Sequence, residues 1–262
     1  MEYQYENPLV ERYASEEMLR IFSPQKKFET WRQLWIALAQ AQRELGLPIS
    51  QEQIDEMIAY QKDINFEEAK EIEKDTRHDV MAHVLAYGKQ CPNAKPIIHL
   101  GATSAFVGDN TDIIVMKEGL TLLRDKLVRL LKALGDFSLR YKSLPTLGYT
   151  HLQPAQPTTV GKRATLWLNE LVMDLEDVEY RLEHLALLGS KGTTGTQASF
   201  LTLFEGDEEK VQALDTLIAK DMGFTKVVPV SGQTYSRKVD FQVLSVLSGI
   251  AQSASKFATD LR

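Results

Sequence analysis

The sequence holds a single cysteine, Cys91, in 262 residues. That excludes an intrachain disulfide and fits a reducing compartment, the cytoplasm. Cys91 lies in a CPNAKP turn with no base beside it and reads as an unreactive thiol. No run of about 18 apolar residues occurs, so no segment is expected to span a membrane. The opening MEYQYENPLVERYAS is polar and acidic and is not expected to act as a signal peptide. A positive charge excess is also missing. The net charge of −6 argues against nucleic acid as the main partner, while leaving room for local basic spots that hold a small anion. HExxH, a Cys/His cluster and GxxxxGK[ST] are all lacking, so neither a metal site nor a P-loop is expected. His78 and His83 are five residues apart and point to different helix faces, which argues against a paired metal site. Strand-like alternation is scarce, with Lys226–Val230 the one candidate.

What is present is helical spacing. Ser23-Pro24 is an N-cap followed by proline at the first helical position. The helix it opens carries Phe28, Trp31, Leu34, Trp35, Leu38 and Leu45 at three- and four-residue steps and stops at Gly46-Leu47-Pro48. Ser50 with Gln53 forms a capping box. Asn65 with Glu68 caps a further helix, read as running through Ile72 and Met81 to Gly88. The stretch from Cys91 to Asn110 reads as loops. Residues 112–142 contain no proline and predict a helix roughly 45 Å long. Residues 158–188 predict a second, 207–222 a shorter one opened by Asp207 and closed by Gly223, and 234–262 a fourth. The class is mainly α. Helices this long cannot hide their apolar stripes in a domain of this size, so bundling across subunits and a homo-oligomer are expected.

Three loops and two histidines have chemical potential. The stretch THLQPAQPTT (150–159) places His151 in a proline-stiffened turn leading into a helix that Thr158 or Thr159 can cap. His78 sits between Arg77, a fork for carboxylate or phosphate, and Asp79, which can hold the imidazole tautomer. Helix-end capping explains that triplet equally well. GATSAFVGDNTD (101–112) and KGTTGTQASF (191–200) offer backbone N–H groups and hydroxyls to an anion, although either can be a plain turn. His99 reads as a loop histidine and His184, in YRLEHL, as a surface one.

Taken together, ENPLVERYAS, TWRQLW, TRHDVMAHV, IIHLGATSAFVGDNTD, LPTLGYTHLQPAQPTTVGKR, KGTTGTQASFLTLFEGD and QTYSRKVD resemble the adenylosuccinate lyases of the fumarase/aspartase superfamily, over the whole chain and in order. The resemblance implies β-elimination of fumarate from adenylosuccinate and from a second succinyl ribotide of purine synthesis, by acid–base chemistry and without metal or organic cofactor. It implies His151 as general acid at the leaving nitrogen, with His78 beside it assisting binding and charge balance. Arg77 and Asp79 would complete that binding segment. Arg12 and Tyr13 would bind the nucleotide part, Thr103 and Ser104 a succinyl carboxylate, Thr150 would flank the acid, and Gln197 would donate to substrate. It further implies a homotetramer whose sites combine loops from three subunits. The implied architecture is a small N-terminal helical domain (1–111) followed by a long-helix bundle (112–262).

The sequence departs from the family at one point. The segment reading roughly GSSxMPxKxNP, whose serine acts as base, has no counterpart here, and SGQTYSRK (231–238) is a different segment. The final KFATDLR stops in mid-pattern, so a truncated bundle, inactive or nearly so alone, is the expectation. Two other readings stay open: another fumarate-releasing relative, and a non-catalytic helical scaffold.

Overall fold

The computed structural model describes residues 7–262; the polar opening MEYQYE lies outside them. A π-helical turn, Leu9–Tyr13, is followed by α1 (Glu16–Ile21), α2 (Pro24–Glu44), α3 (Gln51–Ala59), α4 (Phe66–Thr76), α5 (Asp79–Gln90) and α6 (Ser104–Arg140). A hairpin, β1 (Pro145–Thr150) and β2 (Gln153–Thr159), leads to α7 (Val160–His184), α8 (Ala198–Leu203), α9 (Glu208–Asp221) and α10 (Lys238–Leu261). The mainly α class is as expected. The packing divides into two units, one of residues up to Met116 with Leu185–Ser236, the other of Lys117–His184 with Arg237–Arg262. Residues 185–236 thus pack with the N-terminal helices, although by sequence they fall within the bundle segment.

The caps behave as their chemistry dictates. Ser23 accepts from the Lys26 N–H, Ser50 and Gln53 complete the capping box, and Asn65 and Asp207 cap α4 and α9. Four expectations are corrected. The helix read from Asn65 to Gly88 is two, because Arg77 adopts a left-handed φ of 50° and His78 then caps α5. No glycine or proline marks that break, and the apolar spacing carries across it. The expected loop at 101–110 is helical from Ser104, where burial of Ala105, Phe106 and Val107 overrides the weak helix propensity of the residues that follow. The stiff turn read at 150–159 is part of a β-hairpin that spans 145–159. Alternation could not reveal it, because both of its faces are largely exposed. Its prolines are tolerated because a two-stranded sheet consists only of edges. Lys226–Val230 forms no strand, only an isolated bridge from Val227 to Leu187.

In the first unit, α2 is the central helix and packs on α3 and α9. Trp31, Leu34, Trp35 and Leu38 are buried with Ile54, Met57, Tyr87, Leu214 and Ile218. Arg32, 2% exposed, is the polar bolt in this core. Its Nη1 donates to the carbonyls of Tyr60 and Asp63, its Nη2 donates to Gln90 at 2.8 Å, and its guanidinium lies 4.1 Å from the Tyr87 ring centre. In the second unit, Leu127, Leu171 and Val178 form a core joined by Leu131, Leu175, Val246 and Ile250. Val128, Leu130, Leu139, Leu166, Met173, Phe241 and Leu244 remain exposed on its helices. Arg32→Met would strip donors from two carbonyls and one amide inside the first unit. The expected loss is about 2–3 kcal/mol of stability, read by urea titration of tryptophan fluorescence.

Candidate active site

The first unit collects three polar segments into one cluster. Gly101 packs on α8, where an added methyl would fall 2.7 Å from Leu203. Gly195, at φ 78°, presses so close to the next loop that a methyl would fall 2.0 Å from the Ser231 carbonyl. That loop returns to the first, since Gln233 Nε2 donates to Thr103 Oγ1 at 2.8 Å and the Tyr235 N–H donates to Asp109 at 3.0 Å. Thr103, Ser104 and Gln197, named from sequence, therefore belong to one assembly. Gln233, set aside with SGQTYSRK, joins them. No spacing signal could have found it, because the contact spans 130 residues.

Beside this cluster lies a cavity of about 320 Å³ lined by Lys27, Trp31, Asp79, Ser104, Asp112 and Gln233, among others. It brings Asp79 and Ser104 together. At the α4–α5 break, His78 Nδ1 accepts the Met81 N–H at 3.3 Å, which leaves the proton of the neutral ring on Nε2. Asp79 does not set the tautomer: its Oδ1 stands 3.7 Å from His78 Nδ1 and accepts the Val80 N–H at 2.7 Å. His78 is half-exposed, so its Nε2 edge can serve a ligand while Nδ1 holds the helix end. Arg77 is the left-handed cap of α4, and Arg12 and Tyr13 project from the N-terminal turn with exposed side chains.

The second unit carries Thr150 and His151. Thr150 pairs with Gln153 across the hairpin, leaving His151 and Leu152 as a two-residue turn with φ of 52° and 60°. Positive φ at both positions is the geometry that matches the twist of tightly connected strands. His151 is exposed at this tip and Leu152 is wholly so. Thr159 caps α7 through the Lys162 N–H at 3.1 Å.

The other histidines separate by burial. Burial pulls His83 down to about 4, and the positive charge of Arg32 pushes the same way; its ring stacks on Phe28 at 3.7 Å. Burial likewise pulls His99 down to about 4, helped by His78, and His99 Nδ1 accepts from Trp35 Nε1 at 2.9 Å. His184 is exposed and stacks on Tyr180. Cys91 is buried, and desolvation lifts its thiol to about 12, which removes its nucleophilic form near neutrality. Among the described residues no group of three or more His, Cys, Asp or Glu is placed to hold a metal ion, and no helix is long and apolar enough to cross a membrane.

A family model described as Lyase matches residues 11–262. The chain belongs to this lyase family. Among curated proteins, this lyase-family chain is 53% identical to the adenylosuccinate lyase of Schizosaccharomyces pombe and 51% identical to that of Saccharomyces cerevisiae, in each case over 98% of the chain and 54% of the relative. The adenylosuccinate lyase of Schistosoma mansoni is 49% identical over 99% of the chain and 54% of its own length. The chain thus spans about half the length of the curated relatives it matches. Among solved structures, a fumarate lyase from Mesorhizobium sp. BNC1 aligns with a TM-score of 0.82 at 23% identity, covering 95% of this chain and 57% of that one. The 3-carboxy-cis,cis-muconate lactonizing enzyme from Pseudomonas putida aligns at 0.84 and 23%, over 97% and 57%. These two likenesses show the fold alone: the chain folds as the matching parts of both enzymes do.

In this lyase-family chain, buried His83 and partly buried His99 make stability pH-dependent. Below the ordinary value near 6.5 the unfolded chain takes up protons that the folded one refuses, so stability falls as pH drops from about 6.5 towards 4. The loss is up to about 3 kcal/mol for each histidine. Urea titrations at stepped pH check this, and His99→Gln, which keeps an acceptor for Trp35, is expected to flatten the slope.

Proposed function

We propose that the chain supplies site segments of a purine-pathway lyase that eliminates fumarate from adenylosuccinate, giving AMP, and from the succinyl-aminoimidazole carboxamide ribotide. The observation that carries this reading is the loop cluster of the first unit, which joins Thr103, Ser104 and Gln197 on a chain about half identical to adenylosuccinate lyases. The elimination requires loss of a proton beside a carboxylate, stabilisation of the carbanion-like species, and protonation of the leaving nitrogen as the C–N bond breaks.

In this reading Thr103, Ser104 and the N-terminus of α6 hold a succinyl carboxylate, since hydroxyls and unpaired helical N–H groups suit an anion. Gln197 donates to the substrate. His151 protonates the departing nitrogen from the hairpin tip, with Thr150 beside it. His78, half-exposed and with Nδ1 engaged at the helix end, assists binding and charge balance together with Arg77 and Asp79, while Arg12 and Tyr13 take the nucleotide part. An exposed acid on a bare hairpin needs enclosure. Loops of neighbouring subunits supply it in a cytoplasmic homotetramer, and the apolar side chains left exposed on α6, α7 and α10 are the surfaces such an assembly covers.

The test is fumarate release from adenylosuccinate by the purified chain, alone and supplemented with the C-terminal half of the Schizosaccharomyces pombe relative. Release is expected in the supplemented sample and little or none in the other. His151→Asn is expected to lower the supplemented rate by about 10²–10⁴-fold. Equal rates for wild type and H151N would overturn His151 as the acid.

A further inference from the structure

The loop from Gly189 to Gln197 is held at its root from two helices. Asn110 of α6, fully buried, accepts the Gly189 N–H at 3.0 Å and donates to the Gly189 carbonyl at 3.1 Å. Asp215 of α9 then gathers the next residues on one carboxylate. Its Oδ1 accepts from the Ser190 N–H at 2.6 Å and the Ser190 hydroxyl at 2.7 Å, and its Oδ2 accepts from the Lys191 ammonium at 2.6 Å. Gln197 Nε2 lies 3.4 Å from both Asp215 Oδ2 and Ser190 Oγ. The Lys191 and Asp215 side chains are only 8% and 11% exposed. The fit is close, since a methyl on Gly189 would fall 2.6 Å from Asp215 Oδ1. A cavity of about 560 Å³ opens beside Lys191, Gln197, Asp215, Thr216 and Pro229.

A buried ion pair is a poor way to gain stability, because apolar residues of equal volume serve as well or better. What a carboxylate with four donors around it supplies is direction: each donor can sit in only one place. The three short contacts fix Ser190 and Lys191. The two long contacts to Gln197 are weak enough to be exchanged for a substrate oxygen while keeping the amide nearby.

We propose that Asp215 is a positioning residue: through Ser190 and Lys191 it fixes the 189–197 loop and so presents the Gln197 amide to the substrate. This rests on the reading of Gln197 as a substrate donor. Asp215 acts through the loop and does not itself touch substrate.

Two measurements decide it. The first is amide hydrogen exchange of the 262-residue chain. Asp215→Asn, nearly isosteric, is expected to raise exchange across 189–200 by roughly tenfold or more while α2 keeps its wild-type protection. Ser190→Ala, which removes one hydroxyl, should do the same more mildly and serves if D215N fails to fold. Unchanged exchange over the loop in S190A and in any folded D215N overturns the clamp.

The second is a double-mutant cycle on fumarate release in the supplemented sample. Gln197→Ala and Ser190→Ala are each expected to lower kcat/KM, Gln197→Ala by roughly tenfold or more, with kcat falling as well as KM rising. The double variant should be no worse than Q197A, because both act through one amide. Full additivity overturns the link from Asp215 to Gln197. Wild-type release by Q197A, with loop exchange still raised in D215N, upholds the clamp and overturns the substrate reading of Gln197.

Discussion

A helix satisfies its own backbone, so an all-helical unit has no ladder with which to hold the segments between helices. In the first unit that task falls to buried polar side chains reaching out of the helices. Arg32 of α2 holds the α3–α4 turn and the end of α5, Gln42 of α2 donates to the Leu100 carbonyl, Asn110 of α6 brackets Gly189, and Asp215 of α9 gathers Ser190 and Lys191. Each group is costly to bury alone. Arg32, Asn110 and Asp215 offset that cost by making several bonds at once, and the loops take their geometry from them.

This arrangement suits the elimination proposed for the chain. The charge that develops on the substrate must meet donors already in place, because donors that have to reorganise during the reaction lose most of their benefit. The loop cluster around Thr103, Gln197 and Gln233 is anchored in this way. The hairpin is built on the opposite principle. Its strands are exposed and its tip carries His151 outward, so the fold fixes the backbone of the proposed acid and does not bury its side chain. The histidines show the same division. His83 is buried and His99 partly so; they are stacked or hydrogen-bonded to tryptophan, and kept neutral. His78 and His151 keep contact with water.

The helices and their caps were legible in the residues. The stripe from Trp31 to Leu38 buries as its spacing demands, and Ser23, Ser50, Asn65 and Asp207 cap because a short oxygen-bearing side chain can reach an unpaired N–H. The candidate site was legible as a set of polar segments and their order, through their resemblance to a family. Two of the errors share one physical origin, which is that periodicity reports burial and nothing else. The exposed hairpin at 145–159 left no alternation to read. The break at Arg77 kept the apolar spacing on both sides. The start of α6 at Ser104 is imposed by the burial of Ala105, Phe106 and Val107, against local propensity.

The sequence by itself therefore determined the mainly helical class, the long helices, the caps of α2, α3, α4 and α9, and which residue types are available for proton transfer and anion binding. These depend on neighbours three or four residues away. The tertiary structure decided what meets what. Gln233 reaches Thr103 across 130 residues, Asn110 reaches Gly189 across 79, and Asp215 reaches Ser190 across 25. Contacts at such separations come from helices packing side by side, and no local pattern of residues encodes them.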